Sequence, residues 1–340
     1  MASSQLLLSF AAAVPAALLS GVLTWAIRPM LVRIALARPN ARSSHRVPTP
    51  QGAGIAVIAA TLVAAVTVIA FAGATGMKIP VAVFGATLFI AAVGFADDVH
   101  SIPVVPRLLL QGLAVAAVIL ATPENLRIVP ACPLWLERGL LLLAGLWFVN
   151  LVNFMDGLDL MTVAEIVPVT GALVLLGWIA ELPAPVTVAA AALFGAMLGF
   201  APFNRPVAKI FLGDVGSLPI GLLAGWCLLQ LAWHQQIAAA LLLPLYYLAD
   251  ATVTLLRRLV RREPFWAAHR THFYQRATDN GFPVWRVVSE VFALNVLLAA
   301  LAIGSAMTSS TATAILLFIV GGIATALLMH RFSRLQPSAV

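Results

Sequence analysis

Long apolar segments dominate this chain and limit what it can fold into. Hydrophobic residues make up 62% of its 340 residues and charged residues only 10%, and the mean hydropathy is +1.01. A soluble core cannot bury that much apolar surface, so lipid must surround most of the chain. Because a bilayer offers the backbone no water, each crossing segment is predicted to be an α-helix.

Eleven apolar segments approach the length of about 20 residues that a helix needs to cross a bilayer. The predicted spans are residues 5–27, 52–72, 79–96, 104–121, 138–156, 160–180, 185–201, 216–233, 236–256, 287–305 and 312–330. We therefore predict an all-α polytopic integral membrane protein with ten to eleven transmembrane helices. The chain shows no repeat of fixed period and no linker, so residues 1–340 are predicted to form a single domain.

The basic residues predict how the chain is oriented. An odd number of spans places the termini on opposite sides, and only Lys78, Arg127 and Arg138 fall on the N-terminal side. The other Lys and Arg residues fall on the C-terminal side, mainly in predicted loops 28–51, 97–106, 202–217 and 257–286. Since basic loops stay in the cytoplasm, the N-terminus is predicted outside and the C-terminus inside. The net charge of +7 then reflects topology, and nucleic acid is not an expected partner.

Five polar stretches hold most of the carboxylates, asparagines and histidines, and this topology places all five on the cytoplasmic face. They are residues 42–54, 96–107, 150–159, 204–217 and 257–275. This arrangement predicts a charged active site at the membrane surface. The acids favour a divalent cation, and the basic residues favour an anionic substrate.

Asp97 and Asp98 end the third predicted span, where their mutual repulsion and the helix dipole both call for a nearby cation. Arg107 and Gln111 open the next span and could reach a phosphate. The alternative is a pair of solvated acids that mark the end of the span.

Polar residues recur every three positions where the fifth predicted span leaves the membrane. Asn150, Asn153 and Asp156 are successive neighbours on that helix, and Gly157 is predicted to be its C-cap. Buried asparagines are costly unless they meet polar partners, so a functional cluster that includes Asp159 is favoured over interhelical hydrogen bonding alone.

The loop before the eighth span carries Asn204, Lys209 and Asp214, with Ser217 as the predicted N-cap. Asp214 could bind Mg²⁺ while Lys209 and backbone N–H groups bind a phosphate. A capping acid in an ordinary basic loop is the alternative.

The ninth predicted span contains Asp250 and ends in two arginine pairs that a positive-inside signal explains. His269 and His272 follow, three positions apart, and could share a helical face. With Arg270 they would suit a diphosphate, although solvated loop histidines remain the alternative.

These motifs match, in order, those of the polyprenyl-phosphate N-acetylhexosamine-1-phosphate transferases, the superfamily of MraY and WecA, which the chain resembles over about residues 38–290. The matching residues are Asp97-Asp98 with Arg107 and Gln111, Asn150-x-x-Asn153-x-x-Asp156-Gly157-x-Asp159, Asn204 through Ser217, and His269-Arg270-x-His272. The entrance stretch with Ser44 and His45 resembles the WecA/WbpL-type branch of glycosyltransferase family 4, which starts O-antigen synthesis.

The resemblance implies transfer of an N-acetylaminosugar-1-phosphate from a UDP-sugar to undecaprenyl phosphate, with release of UMP. It implies Mg²⁺ as cofactor, with Mn²⁺ as an alternative, and a site facing the cytoplasm at the bacterial inner membrane. The lipid-linked product would start O-antigen and lipopolysaccharide synthesis or another cell-envelope glycan. A homodimer is left open.

The resemblance also implies roles for individual residues. The expected catalytic residues are Asp97, Asp98, Asp156, Asp159 and His272. The expected substrate-binding residues are Ser44, His45, Arg107, Asn150, Asn153, Asn204, Lys209, His269 and Arg270. The expected metal ligands are Asp214, Asp98 and Asp156. Asp97 is expected to act either as a base or as a nucleophile, so one-step and two-step transfer both stay open.

Several positions depart from the family pattern. Gln51 and Ala53 replace the usual Arg and Gly, Leu160 follows Asp159 where Gly is common, and the histidine segment has no triple-histidine run. These departures weaken assignment to UDP-MurNAc-pentapeptide or to plain GlcNAc, and they favour a modified sugar such as a 6-deoxy aminosugar. A secondary transporter is the rival class, but it would place acids at the middle of spans, where only Asp250 is a candidate.

Topology provides a direct test of this interpretation. Reporter domains inserted in loops 97–106 and 202–217 should both report the cytoplasmic side, because both loops are predicted to serve one site. An insertion near Arg127 should report the opposite side and serves as the control. Finding Asp98 and Asp214 on different sides of the membrane would contradict a shared site.

Overall fold

The computed structural model describes residues 2–37, 48–72, 76–179, 182–263 and 269–336, and it is almost entirely helical. The helices are α1 (Ala2–Ile34), α2 (Gly54–Phe71), α3 (Val81–Val99), α4 (Val104–Leu120), α5 (Leu134–Met155), α6 (Met161–Ile179), α7 (Ala184–Phe200), α8 (Asp214–Trp233), α9 (Ile237–Leu242), α10 (Leu245–Val260), α11 (Phe273–Asp279), α12 (Val284–Ala306) and α13 (Thr311–Phe332). The predicted all-α fold is confirmed.

Among the described residues, nine helices are long and apolar enough to cross a membrane: α1, α2, α3, α5, α6, α7, α8, α12 and α13. Helix α4 is also apolar but shorter. The chain is therefore a polytopic membrane protein. The orientation of its termini stays a prediction.

The predicted span over residues 236–256 is wrong as a continuous helix. The structure has the six-residue α9 and the separate α10 there, with Leu243 and Pro244 between them. Proline cannot donate its backbone nitrogen and its ring clashes with the preceding turn, so Pro244 favours a break in the helix at this position. Helix α10 packs against α5.

Short β pairings connect the segment before α2 both to the end of α1 and to the loop that precedes α8. Strand β1 (Leu36–Ala37) pairs antiparallel with β2 (Thr49–Pro50), and Gln51 forms a parallel bridge with Phe211. The backbone N–H groups of residues 52 and 53 both donate to the Phe211 carbonyl, at 3.1 and 3.0 Å. The entrance segment is thereby held beside the first turn of α8.

Glycines allow α2 and α3 to approach the start of α8 very closely. A Cβ atom on Gly54 would collide with the backbone of Gly216, and one on Gly94 would collide with the carbonyl oxygen of Asp214. Small residues permit such backbone contacts between membrane helices. The C-terminal end of α3 therefore lies directly on the N-terminus of α8.

Two glycines in α3 allow this packing to be tested. Gly94→Ala should lower the unfolding temperature of the detergent-solubilised protein, because the new methyl group meets immovable backbone; overpacking typically costs about 1–3 kcal/mol. Gly85→Ala is the matched control, since a Cβ there meets nothing within 4 Å. Equal melting of both variants would show that the contact does not hold the helices together.

Candidate active site

Asp98 caps the N-terminus of α8 from a different helix. Its Oδ1 accepts a hydrogen bond from the Asp214 backbone N–H at 2.9 Å, and its Oδ2 accepts one from Val215 N–H at 3.0 Å. The first N–H groups of a helix have no partners within it, and a carboxylate satisfies them strongly. Gln51 supports the arrangement, because its Nε2 donates to the Asp98 carbonyl at 3.1 Å.

Ser217 is not the N-cap that the sequence predicted. Helix α8 begins at Asp214, so Ser217 lies within its first turn, and the N-cap position is Gly213 with a φ of +76° and no side chain. Positive φ suits glycine. The sequence could not indicate that the cap comes from α3, more than 100 residues away.

Asp97 forms an ion pair with Arg107, which provides the nearby cation that the sequence predicted. Its Oδ2 lies 2.6 Å from Arg107 Nη1, and its Oδ1 accepts from the Ile102 N–H at 2.6 Å. The same Arg107 nitrogen lies 3.9 Å from Asp214 Oδ2. One guanidinium therefore links the two carboxylates.

The asparagine side chains of α5 form hydrogen bonds with polar partners, and these bonds offset the cost of burying them. Asn153 Nδ2 donates to Asp214 Oδ1 at 2.8 Å and to Ser217 Oγ at 2.9 Å. One turn deeper, Asn150 Nδ2 donates to Gln111 Oε1 at 2.7 Å. Asn153 thus fixes the Asp214 carboxylate, while Asn150 joins α5 to α4.

Asp156, not Gly157, occupies the C-cap position of α5. Gly157 is needed for another reason: a side chain there would collide with the Tyr274 hydroxyl. Asp156 accepts a hydrogen bond from the Thr162 hydroxyl. Burial raises the pKa of Asp156 to about 7; the Thr162 hydrogen bond opposes this rise, and the charges of Asp98 and Asp159 add to it.

Asp159 and Asn204 hold the loop before α8 against the start of α6. Asp159 Oδ2 accepts from the Ala208 N–H at 3.0 Å. Asn204 Oδ1 accepts from the Leu160 N–H at 2.7 Å, and its Nδ2 donates to the Ile210 carbonyl at 3.0 Å. Both residues, which the sequence proposed for catalysis and substrate binding, have a clear role in shaping this loop.

His269 and His272 do not share a helical face, because α11 begins only at Phe273. Their rings nevertheless stack, with centroids 4.9 Å apart. Burial, together with the nearby charges of His272 and Arg258, lowers the pKa of His269 to about 4. His269 is therefore neutral at physiological pH. Arg270 is tied to α11, where its Nη2 donates to Thr278 Oγ1 at 2.9 Å and lies 3.2 Å from Asp279.

The sequence assigned no role to Asp250, and the structure places it beneath the histidine segment. Its side chain is fully buried, and its Oδ1 lies 3.2 Å from His272 Nδ1. The sequence feature that could have indicated a role for Asp250 is its position within an apolar segment. Acidic side chains are energetically costly there and are commonly functional.

A cavity of about 560 Å³ brings six of the predicted residues together. The polar residues of its lining are Arg107, Asn150, Asn153, Asp214, His269 and His272. The apolar residues of its lining are Val104, Leu108, Leu143, Leu146, Trp147, Phe154 and Leu255. The remaining described candidates, which are not part of this lining, are Asp97, Asp98, Asp156, Asp159, Asn204, Lys209 and Arg270. Ser44 and His45 fall outside the described residues.

Within the described ranges, no three His, Cys, Asp or Glu side chains form a group that could hold a metal by themselves. The predicted ligands Asp214, Asp98 and Asp156 therefore do not make a complete protein site. Mg²⁺, however, commonly takes only one or two carboxylates and completes its shell with water and substrate phosphates. Asp214, which lines the cavity beside Asp97, fits that requirement.

Sequence comparison relates this chain to known proteins. Residues 80–232 match the family model described as glycosyl transferase family 4. A phospho-N-acetylmuramoyl-pentapeptide-transferase of Wolbachia sp. subsp. Drosophila simulans is 40% identical over 76 residues, which cover 22% of this chain and 23% of the relative. The corresponding protein of Enterococcus faecalis is 30% identical over 145 residues, covering 41% and 43%.

A longer match links the chain to a probable undecaprenyl-phosphate N-acetylglucosaminyl 1-phosphate transferase of Bacillus subtilis, with 26% identity over 276 residues. That alignment covers 74% of this chain and 73% of the relative. The chain spans less than half the length of the muramoyl-pentapeptide relatives named above. The chain is thus similar in sequence to members of the polyprenyl-phosphate hexosamine-1-phosphate transferase superfamily.

The raised pKa of Asp156 predicts how stability depends on pH. Between about pH 4 and about pH 7 the folded protein binds a proton that the unfolded chain has released, so stability should fall as pH rises through this window. Unfolding temperatures measured in EDTA should show this fall, and Asp156→Asn should make it shallower. Glu124→Gln, which changes an exposed acid, should leave the slope unchanged. A variant slope identical to wild type would contradict the assignment.

Proposed function

We propose that this protein transfers an N-acetylaminosugar-1-phosphate from a UDP-sugar to undecaprenyl phosphate at the inner membrane of a bacterium, releasing UMP. The observation that carries the proposal is the mixed lining of the cavity. Arg107 and Asp214 offer charged groups and the histidines offer polar ring nitrogens, while residues such as Leu143 and Trp147 offer apolar surface in the same cavity. A lipid-linked phosphate needs both kinds of surface at one point.

Arg107 is the group best suited to hold a phosphate. Its Nε is buried and has no hydrogen-bond partner within the part of the chain that the structure describes. Its Nη1 spans Asp97 and Asp214, so an entering phosphate would meet a guanidinium already aligned by two carboxylates. An arginine fork matches phosphate geometry and gives strong charge-assisted hydrogen bonds.

Asp214 is the proposed Mg²⁺ ligand, oriented by the hydrogen bond from Asn153. When bound, the ion would neutralise charge on the donor diphosphate, which is the main requirement of phosphoryl transfer. Asp98 supports the site differently, because both of its oxygens hold the α8 backbone that presents Asp214.

Asp97 is the proposed base or nucleophile, and it is held by Arg107 and the Ile102 N–H. As a base it would take a proton from the lipid phosphate, whose oxygen then attacks the phosphorus that bears the sugar. As a nucleophile it would first form an aspartyl-phosphate sugar ester and release UMP, and the lipid phosphate would then displace it. Trapping of a covalent sugar-phosphate enzyme would distinguish the two routes.

The muramoyl-pentapeptide relatives favour one competing substrate, UDP-MurNAc-pentapeptide. The longer match to the N-acetylglucosaminyl relative and the lack of a triple-histidine run favour a simple or modified aminosugar. We therefore propose the O-antigen or a related cell-envelope glycan as the destination of the product.

A panel of donors tests the function and the substrate together. Purified protein in nanodiscs, given undecaprenyl phosphate and Mg²⁺, should release UMP from UDP-N-acetylaminosugars, with UDP-GlcNAc, a UDP-6-deoxy aminosugar and UDP-MurNAc-pentapeptide as the arms. EDTA should abolish release and Mg²⁺ should restore it. No UMP from any donor would remove the proposal, and turnover of the pentapeptide alone would select the competing substrate.

Within this assay, Asp214→Asn should lower kcat/KM by about 100-fold or more, because it removes the charge that would hold the ion and the diphosphate. The matched control is Glu124→Gln, an exposed acid between α4 and α5 that should keep activity within about twofold of wild type. Full activity of Asp214→Asn would exclude this residue as the metal ligand.

A further inference from the structure

Asp250 is the most heavily hydrogen-bonded carboxylate in the described part of the chain, and the proposed mechanism does not use it. Its Oδ1 accepts from Thr254 Oγ1 at 3.2 Å and from the Phe273 N–H at 3.0 Å. Its Oδ2 accepts from Tyr246 Oη at 3.2 Å and from the Tyr274 N–H at 3.1 Å. The side chain is fully buried.

The fifth partner of Asp250 is the ring of His272, whose Nδ1 lies 3.2 Å from Oδ1. All four other partners donate, so the Asp250 oxygens act as acceptors and Nδ1 must carry the proton. The second ring nitrogen, Nε2, is then the one left to bind another group. Because the two nitrogens point to different sides of the imidazole, anchoring Nδ1 on Asp250 directs Nε2 away from it.

The surroundings of His272 fix the ring as well as its protonation. The ring stacks on His269 and on Tyr274, with centroids 4.9 and 5.8 Å apart, and it packs against Phe154 at 6.5 Å. His272 is only 2% exposed, yet it lines the cavity that holds Arg107 and Asp214. A ring held this firmly presents one defined edge to that cavity.

We propose that Asp250 is a positioning residue for the transfer reaction: it sets the tautomer of His272 and aims Nε2 at the phosphate bound in the cavity. A buried carboxylate hydrogen-bonded to Nδ1 also stabilises the imidazolium that forms when Nε2 is protonated. The protonated Nε2 can then donate a hydrogen bond to a phosphate oxygen. The same carboxylate fixes the start of α11, so the position of the histidine segment and its chemistry depend on one side chain. The expected effect on catalysis rests on the proposed function, whereas the tautomer of His272 does not.

A double-mutant cycle separates positioning from simple structural support. Asp250→Asn should lower kcat about 10- to 100-fold, the usual cost of losing a carboxylate behind a functional histidine, while KM for the UDP-sugar changes less than about threefold. In the His272→Ala background the same change should cost almost nothing more. An equal fold loss in both backgrounds, or no loss in wild type, would overturn the proposal.

Tyr246→Phe is the matched control, because it removes one donor to the same carboxylate without touching His272. It should change kcat by less than about threefold in either background. A loss as large as that of Asp250→Asn would assign the effect to general weakening of the carboxylate cluster and overturn the proposal.

Nitrogen NMR of the unmutated protein tests the geometry without any substrate. In the full-length protein labelled with ¹⁵N-histidine, His272 should show a protonated Nδ1 and an unprotonated Nε2 in its neutral form, with His272→Ala identifying its signals. The opposite tautomer would overturn the proposal even if Asp250→Asn fails to fold. Absence of UMP release from wild type would remove the proposed function and leave this spectroscopic test intact.

Discussion

The start of α8 is the point on which the rest of this structure depends. A helix N-terminus inside a membrane protein exposes N–H groups that lipid cannot satisfy. Asp98 satisfies two of them from α3, and the contact is possible only because Gly94 lets the two backbones meet. Once α3 is fixed in this way, Asp97 and Asp214 are necessarily neighbours, and Arg107 on α4 lies between them.

The same physical rule explains the other polar groups of the interior. Asn150 meets Gln111 across two helices, Asn153 meets Asp214, and Asp250 gathers five hydrogen-bond partners. An unpaired polar group is costly away from water, so each such residue holds two segments of chain together. These bonds position the functional groups as well as stabilising the fold, because Asn150, Asn153, Asp214 and His272 also line the cavity.

The cavity combines charged and apolar side chains in one lining. Arg107 and Asp214 lie in it together with leucines and Trp147. This mixed lining suits the proposed reaction, in which a water-soluble phosphate donor meets a phosphate on a lipid. The broken ninth span contributes to it, since α10 supplies Leu255 to the lining and Asp250 to the support of His272.

The sequence by itself determined the helical membrane architecture and most of the cavity's polar residues, because apolar length and scarce charges leave few other solutions. Arg107, Asn153, Asp214 and both histidines were all identified from local patterns. Only the tertiary structure decided that Asp98 caps α8 and that Asp250 supports His272. These outcomes depend on contacts between segments far apart in the chain, and a local pattern of residues cannot specify which distant donor a buried carboxylate will meet.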